Sequence, residues 1–321
     1  MPRRRAITAL CVLALAASAC GSAPRTALSP AALTEVPAAA DGDVVARRMA
    51  FAPERYRTPT FETTASFQLT YATKPHLVNG LPVTLQLDMF RPANDVIAAR
   101  PLIVWVHGGG FSGGNRESMA GVAQAYARLG YVTATISYRL DSGNQCLQVQ
   151  AGLLTGQQLI TERARCERAI LGARDDAASA VAWLRANAVT FGIDPSRVAI
   201  GGASAGAITA IHVGQTLNTL GGPAPADVQV SAVLAMSGCN YIDDSIDAAD
   251  APVALLASGG DPLVPFACTV ATAEQAIAVG TPVMRHFYEL ESSHAQGIYG
   301  AHQAEVDRAW RLFLIDHLEL I

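Results

Sequence analysis

The chain has 321 residues, half of them hydrophobic, and carries 23 basic against 27 acidic side chains, for a net charge of −4. This length can hold one large α/β domain or two smaller ones, and the hydrophobic share is enough for a substantial core. The negative charge argues against binding of nucleic acid or of an anionic membrane surface through charge.

The N-terminus has the pattern of an export signal. Arg3, Arg4 and Arg5 precede the apolar run AITALCVLALAA, and small residues follow in SACGS, which is typical of a secretory signal peptide. The run is too short for a membrane-spanning anchor helix. The segment AASAC also resembles a bacterial lipoprotein box. We therefore predict a signal peptide over residues 1–19 and lipid attachment at Cys20, with ordinary secretion as the alternative.

A different composition follows the predicted signal. Residues 20–60 are rich in Ala, Pro, Thr and Arg and have little periodicity, so they are predicted to form a flexible tether. Cleavage after residue 19 would remove three arginines and no acidic side chain, leaving a net charge of −7. The exported chain is thus expected to meet a membrane only through its lipid anchor.

From residue 61 onwards, predicted strands and helices alternate. FETTASFQLTYAT and VTLQLDMF predict a hairpin, and PLIVWVHG predicts a strand buried on both faces. Further strands are predicted in YVTATISYRL, DPSRVAIGGAS, VSAVLAMSG, PVALLASG and PVMRHFYEL. Helices are predicted over about 116–129, 169–190, 205–217 and 301–318. We expect one α/β domain over residues 61–321, with a mostly parallel sheet and helices on both faces.

The segment 141–168 interrupts this alternation. It is polar and flanked by cysteines, and we predict an insertion that lies outside the core. Because the segment follows a strand, we expect it at the carboxyl edge of the sheet. Ligands bind at that edge in such sheets, so the segment could line or cap a substrate pocket.

Four cysteines lie beyond the predicted lipid site, at positions 146, 166, 239 and 268. An even number in an exported protein suggests two disulfides. We predict Cys146–Cys166 and Cys239–Cys268, because each pair closes a local excursion of the chain. Free thiols are the alternative, and four cysteines permit three pairings. The spacing matches no metal-binding motif, so no metal is expected.

The strongest functional signal is IGGASAGAI, residues 200–208. It contains G-x-S-x-G between an apolar strand and a predicted helix. Such a turn forces its serine, here Ser204, into a strained and exposed position, and small neighbours are needed for the backbone to pass. The helix N-terminus favours negative charge that develops nearby. A plain tight turn is the alternative in so Gly- and Ala-rich a segment.

With this motif, residues 61–321 resemble the α/β-hydrolase superfamily, and in particular its carboxylesterase and hormone-sensitive-lipase-like branch. The resemblance rests on HGGGF, GGASAGA, GGDPLVP and a late histidine, in the order of the family. It implies the α/β-hydrolase fold and a serine esterase that needs no cofactor.

A serine nucleophile needs a base and an orienting carboxylate, which follow it in the order Asp/Glu, then His, in this fold. Asp261, in the loop after a buried strand, is the best acid, and the family's DPL motif has its catalytic aspartate at that position. His294 falls in the loop after the final strand, where the family keeps its base. This sequence lacks the usual glycine beside that histidine. His212, which follows Ser204 by one or two helical turns, is predicted to be a helix-surface or packing residue and not the base.

The glycines of VWVHGGGFSGGN, residues 104–115, could supply the oxyanion donors that a serine hydrolase also needs. A tetrahedral oxyanion must meet preorganised N–H donors, and consecutive glycines let the backbone turn its amides towards a substrate. By the resemblance, the donors are Gly109, Gly110 and Ala205, while His107 braces the loop and Phe111 packs beneath it. A phosphate-binding loop is disfavoured, because no G-x-G-x-x-G or GK[ST] motif is present.

These observations predict an exported hydrolase of small-molecule carboxylic esters with the triad Ser204–His294–Asp261. It would be anchored by lipid at the outer face of a bacterial cell membrane, or else secreted. Two alternatives stay open. One is an amide or peptide hydrolase with the same triad, and the other is a non-catalytic surface lipoprotein on a hydrolase scaffold. The natural substrate and the oligomeric state are not encoded in any motif.

Overall fold

A computed structural model describes residues 54–217, 225–241 and 246–320. The predicted signal peptide, Cys20 and residues 20–53 of the predicted tether lie outside the described residues. Within the described ranges, no helix is both long and apolar enough to cross a membrane.

An eight-stranded sheet forms the centre of the domain, in the order β1-β2-β4-β3-β5-β6-β7-β8. Its strands are β1 (Thr63–Pro75), β2 (Pro82–Pro92), β3 (Arg100–Val106), β4 (Val132–Ile136), β5 (Ile193–Ala203), β6 (Ala232–Met236), β7 (Val253–Ser258) and β8 (Val283–Tyr288). The first two strands pair antiparallel, as does β2 with β4, and the remaining pairs are parallel. The mostly parallel sheet with an antiparallel hairpin at one edge matches the prediction.

Eight α-helices flank these strands within the described residues. They are α1 (Ala120–Ala127), α2 (Cys146–Gln150), α3 (Gly156–Ala186), α4 (Ala188–Phe191), α5 (Ala205–Gln215), α6 (Phe266–Val279), α7 (Gln296–Ala301) and α8 (Gln303–His317). Buried residues of α3 and α5 form the core on one face of the sheet, and those of α1, α7 and α8 form the core on the other.

Strand β3 shows why a continuous apolar run is needed at the centre of such a sheet. Val104 packs into one core and its neighbour Trp105 into the other, and both are fully buried. Successive side chains of a strand point to opposite faces, so a strand covered by helices on both sides must be apolar at every position.

The predicted insertion is only partly separate from the core. Helix α3 begins at Gly156, not near residue 169, so the second half of the segment 141–168 is the first part of a core helix. This half carries no Pro and no Gly after Gly156, and its alanine, arginine and glutamate residues favour helix. Only the first half, with the short helix α2, lies outside this helix, and Cys146 of α2 is itself buried in the core.

Two helices, α6 and α7, are not among those that the sequence predicts. The alanine-rich run of α6 ends in Gly280, whose φ of 89° is suited to a helix end. Helix α7 precedes the predicted last helix, which is present as α8 with bounds within two residues of the prediction.

Both predicted disulfides are present. The Cα atoms of Cys146 and Cys166 are 5.0 Å apart, and those of Cys239 and Cys268 are 5.7 Å apart, within the range for disulfides. The first joins α2 to α3. The second joins the segment after β6 to α6, so both reinforce loops at the carboxyl edge of the sheet.

Candidate active site

Ser204 occupies the turn between β5 and α5, where its φ of 56° and ψ of −123° are strained for a side chain. Its neighbours are small for a steric reason. A Cβ on Gly202 would lie 2.8 Å from the backbone nitrogen of Ala207, and one on Gly206 would lie 2.7 Å from the carbonyl oxygen of His107. The Ser204 N–H donates to the carbonyl of Met236 at 2.8 Å, which fixes the turn against β6.

Asp261 and His294 form the pair that the sequence predicts. Nδ1 of His294 lies 2.8 Å from both carboxylate oxygens of Asp261, and the Asp261 side chain is 1% exposed. A carboxylate only accepts hydrogen bonds, so Nδ1 of His294 carries the hydrogen. In the neutral ring this leaves Nε2 as the acceptor, and Nε2 is buried with no hydrogen-bond partner among the described residues.

The Asp261 carboxylate is kept ionised. Burial by itself raises its pKa, but hydrogen bonds from His294, from the backbone N–H groups of Val264 and Leu263 and from the Ser237 hydroxyl together hold the pKa below its usual value. The negative charge is therefore present at neutral pH and is lost only as the pH falls well into the acid range.

One cleft of about 500 Å³ is lined by Ser204, by His294 and by the glycines at positions 108–110. It therefore brings together the predicted nucleophile, the predicted base and the glycine loop. Ser204 and His294 are not hydrogen-bonded to each other in this structure, since Nε2 of His294 has no partner. The cleft lies at the carboxyl ends of β3 and β5, the predicted edge of the sheet.

Two of the three predicted oxyanion donors, Gly109 and Gly110, line the same cleft. Gly109 and Gly110 have φ values of 124° and 60°, in the region that favours glycine. Within the described residues, their N–H groups donate to no backbone carbonyl. Ala205 is the first residue of α5, which has no side-chain cap, so its N–H is one of the unpaired donors of a helix N-terminus.

Contacts with the aromatic residues around it hold the glycine loop in place. The His107 ring stacks on Tyr138 with ring centroids 4.4 Å apart, and the Tyr138 hydroxyl donates to the His107 carbonyl at 3.0 Å. Burial lowers the pKa of His107, which keeps its ring neutral near pH 7. Phe111 is fully buried in the core. His107 and Phe111 thus have the bracing and packing positions expected from the sequence.

Two family models match adjacent parts of the chain. BD-FAE matches residues 87–149, and a model described as alpha/beta hydrolase fold matches residues 163–254. A solved esterase of Thermogutta terrifontis, Est2, is similar over 83% of this chain and 94% of its own, with a TM-score of 0.59 and 19% sequence identity. MGS-M1, an α/β hydrolase from a deep-sea metagenome library, is similar over 82% of this chain and all of its own, with a TM-score of 0.58 and 17% identity.

The chain has the α/β-hydrolase fold.

Curated relatives of this α/β-hydrolase chain are esterases and lipases. It is 30% identical over 131 residues to "Secreted lipase 5" of Gibberella zeae, 33% over 123 residues to "Fumonisin B1 esterase" of Sphingopyxis macrogoltabida and 28% over 187 residues to "Chlorogenic acid esterase" of Aspergillus niger. These matches cover 38%, 38% and 54% of this chain, and 22%, 21% and 31% of the relatives. The chain thus spans less than one third of the length of each of these relatives.

Sequence reasoning missed Ser237, which follows β6 of the α/β-hydrolase sheet. Its fully buried hydroxyl donates to Asp261 and accepts the N–H of Ala295, the residue after His294, at 2.8 Å. One side chain thus links the predicted acid to the backbone of the predicted base. Its place at the carboxyl end of a central strand was the available signal.

The histidine loop has a second tether. The Ser258 hydroxyl donates to the Ser293 carbonyl at 2.5 Å. Ala295 has a φ of 46° and a ψ of −111°, a conformation that favours glycine, although the sequence has alanine there. The two serine tethers fix the backbone on both sides of His294.

We expect Ser237→Ala to reduce kcat about tenfold, because a hydrogen bond to a charged group contributes roughly 1.5–3 kcal/mol. Loss of the donated bond raises the pKa of Asp261, so its charge is lost at a higher pH as the solution is acidified. The acid limb of kcat/KM against pH should therefore move to higher pH. Ester turnover from pH 4 to pH 9 measures both effects.

Ser237→Gly is the matched variant, because it also removes the hydroxyl but accepts the φ of 53° that Ser237 adopts. Both variants should show the same shift of the acid limb. A shift confined to Ser237→Ala would mean that backbone strain, and not the hydroxyl, is responsible.

Proposed function

We propose that the chain is an exported serine hydrolase that cleaves carboxylic esters through an acyl-enzyme. The observation that carries the proposal is the convergence on one cleft of Ser204 in a strained turn, the base of an Asp261–His294 pair, and the N–H groups of the glycine loop. A nucleophile, a base with its orienting carboxylate, and oxyanion donors are the parts that acyl transfer needs.

In the proposed reaction, Nε2 of His294 takes the proton of Ser204 as the serine oxygen attacks the ester carbonyl. The oxyanion that forms is met by the N–H groups of Gly109, Gly110 and Ala205. Collapse of this intermediate breaks the bond to the alcohol, which leaves with the proton from His294. Water, deprotonated by the same nitrogen, then releases the acid and restores Ser204. Asp261 holds the imidazole tautomer throughout.

The similarity to relatives that are named esterases and lipases supports esters as the substrates of this chain. Export is supported by the two disulfides, since these bonds persist in oxidising compartments. Lipid attachment at Cys20 rests on the sequence pattern alone, and mass spectrometry of the N-terminal peptide from membranes would test it.

Turnover and covalent labelling of the full chain test the proposal. We expect hydrolysis of p-nitrophenyl esters, and we expect paraoxon to phosphorylate Ser204 and stop the reaction. The solved Est2 esterase of Thermogutta terrifontis has a structure in its paraoxon-phosphorylated form. Peptide mass spectrometry locates the adduct. Turnover that survives complete labelling of Ser204, or labelling of another serine alone, would contradict the proposed mechanism.

A further inference from the structure

Helix α2 supplies one wall of the cleft. Leu147, half-buried on this helix, lines the same cleft as Ser204. It also packs against the glycine loop, because a Cβ placed on Gly110 would lie 3.1 Å from Cγ of Leu147. A branched apolar side chain thus stands beside a predicted oxyanion donor, where part of a bound ester must pass.

Three contacts hold α2 and the segment before it against the first turns of α3. Cys146, the residue next to Leu147, is bonded to Cys166. The buried carboxylate of Asp141 binds Arg165 through both oxygens, at 2.6 and 2.5 Å. The N–H of Gln145 donates to Glu162 at 3.2 Å. Because α3 is a core helix, the position of Leu147 is fixed by the domain and not by a free loop.

The same segment is tied to the glycine loop. The Asp141 N–H donates to the carbonyl of Phe111 at 2.9 Å, one residue beyond Gly110. The Asp141 carboxylate that holds Arg165 is ionised, since the hydrogen bonds from Arg165 lower its pKa. The wall formed by α2 and the oxyanion loop therefore form one connected unit.

The two sides of the cleft have different chemistry. The leaving alcohol must lie within hydrogen-bond reach of His294, which protonates it in the proposed reaction. The wall formed by His294 and residues 295–297 is therefore occupied by the alcohol. The acyl chain must then lie against the other wall of the cleft, which is formed in part by the glycine loop and Leu147.

We propose that Leu147 limits the length of the acyl chain that the enzyme accepts, and that the Cys146–Cys166 disulfide fixes this limit. The inference rests on the proposed function and adds the determinant of its acyl selectivity. A smaller side chain at position 147 extends the acyl pocket, and a larger one shortens it.

The test compares kcat/KM for p-nitrophenyl acetate, butyrate, hexanoate and octanoate in the full chain. Leu147→Ala should raise the octanoate-to-acetate ratio about tenfold or more, since each methylene in an apolar pocket changes selectivity by about 10- to 200-fold. Leu147→Phe should lower the same ratio. Leu153→Ala is the matched control, because Leu153 belongs to the same segment but is 72% exposed, and it should leave the ratio unchanged.

A second comparison examines the disulfide. The double variant Cys146→Ser with Cys166→Ser should raise the octanoate-to-acetate ratio of kcat/KM, as Leu147→Ala does. The reason is that the disulfide no longer holds the wall formed by α2 against α3. A third comparison uses the acetates of ethanol, butanol and octanol, in which only the alcohol varies. The Leu147 variants should rank these three substrates by kcat/KM in the same order as the wild type.

Several results would overturn the inference. Acyl ratios that stay at the wild-type value in both Leu147 variants would remove Leu147 from the acyl pocket. A changed alcohol profile with an unchanged acyl profile would place Leu147 on the other side of the cleft. Absence of turnover of every ester by the wild-type chain would instead reject the proposed function, and the inference with it.

Discussion

Replacement of Ser204 by alanine is expected to lower kcat for p-nitrophenyl esters on the order of 10⁶-fold, the size of loss seen when a triad serine is removed. We expect this loss because no other described residue of the cleft lies on a strand-to-helix turn beside the predicted base and oxyanion donors, so none can replace Ser204 as the nucleophile. KM should change little, because the cleft keeps its other walls. Steady-state kinetics with an active-site titration of the wild-type enzyme measures the ratio.

The matched control is Ser196→Ala, which removes a hydroxyl from the start of the same strand, β5, at the end away from Ser204. The Ser196 hydroxyl donates to Asp194 at 2.6 Å, and its loss should leave kcat within twofold of wild type. If Ser204→Ala retained more than about 1% of wild-type turnover while folded, the acyl-enzyme mechanism would have to be abandoned.

Asp261→Asn is expected to lower kcat about 10⁴-fold at pH 7, the loss that accompanies the wrong imidazole tautomer in a triad. The amide group of asparagine can donate to Nδ1 of His294, which places the hydrogen on Nε2 and removes the acceptor for the Ser204 proton. The loss should fall on kcat more than on KM. NMR of the imidazole protons would report the tautomer directly.

Asp175→Asn provides the comparison for Asp261→Asn. The Asp175 carboxylate is exposed and pairs with Arg174 at 3.3 Å, and such a surface pair contributes about 0–1 kcal/mol to stability. Activity should be retained in this variant. Comparable losses from Asp175→Asn and Asp261→Asn would show that net charge, and not the contact with His294, is responsible.

Much of this architecture follows from local sequence. The buried run of β3 and the alternation of strands and helices were sufficient to predict a mostly parallel sheet covered by helices. The resemblance carried by HGGGF, GGASAGA and GGDPLVP implied the α/β-hydrolase fold, which the structure and its similarity to solved esterases confirm. The disulfide pairing was also predictable, because each bond closes a short excursion. The roles of Ser204, Asp261 and His294 stay predictions, which the shared cleft and the Asp261–His294 hydrogen bonds support.

Other features depend on contacts between distant segments. Ser237 is an ordinary serine in sequence, and it becomes relevant only where the ends of β6 and β7 meet the histidine loop. Leu147 likewise gains its place in the cleft only because Cys166 lies on a core helix. The start of α3 is obscured for a different reason, because the polar, cysteine-flanked segment 141–168 has the pattern of a surface insertion although its second half has a helix-favouring composition.

Among the described residues, seven non-glycine residues have positive φ. Two of them, Ser204 and Ala295, line the cleft, while Phe111 follows its glycine loop and Ser237 is hydrogen-bonded to Asp261. Strain of this kind costs of order 1–3 kcal/mol at each position. The domain therefore gives up part of its folding free energy at the place where it is expected to act. At Ser204, selection for thermal stability alone would favour glycine, and selection for ester turnover would oppose it. Stability and activity thus compete at this backbone position.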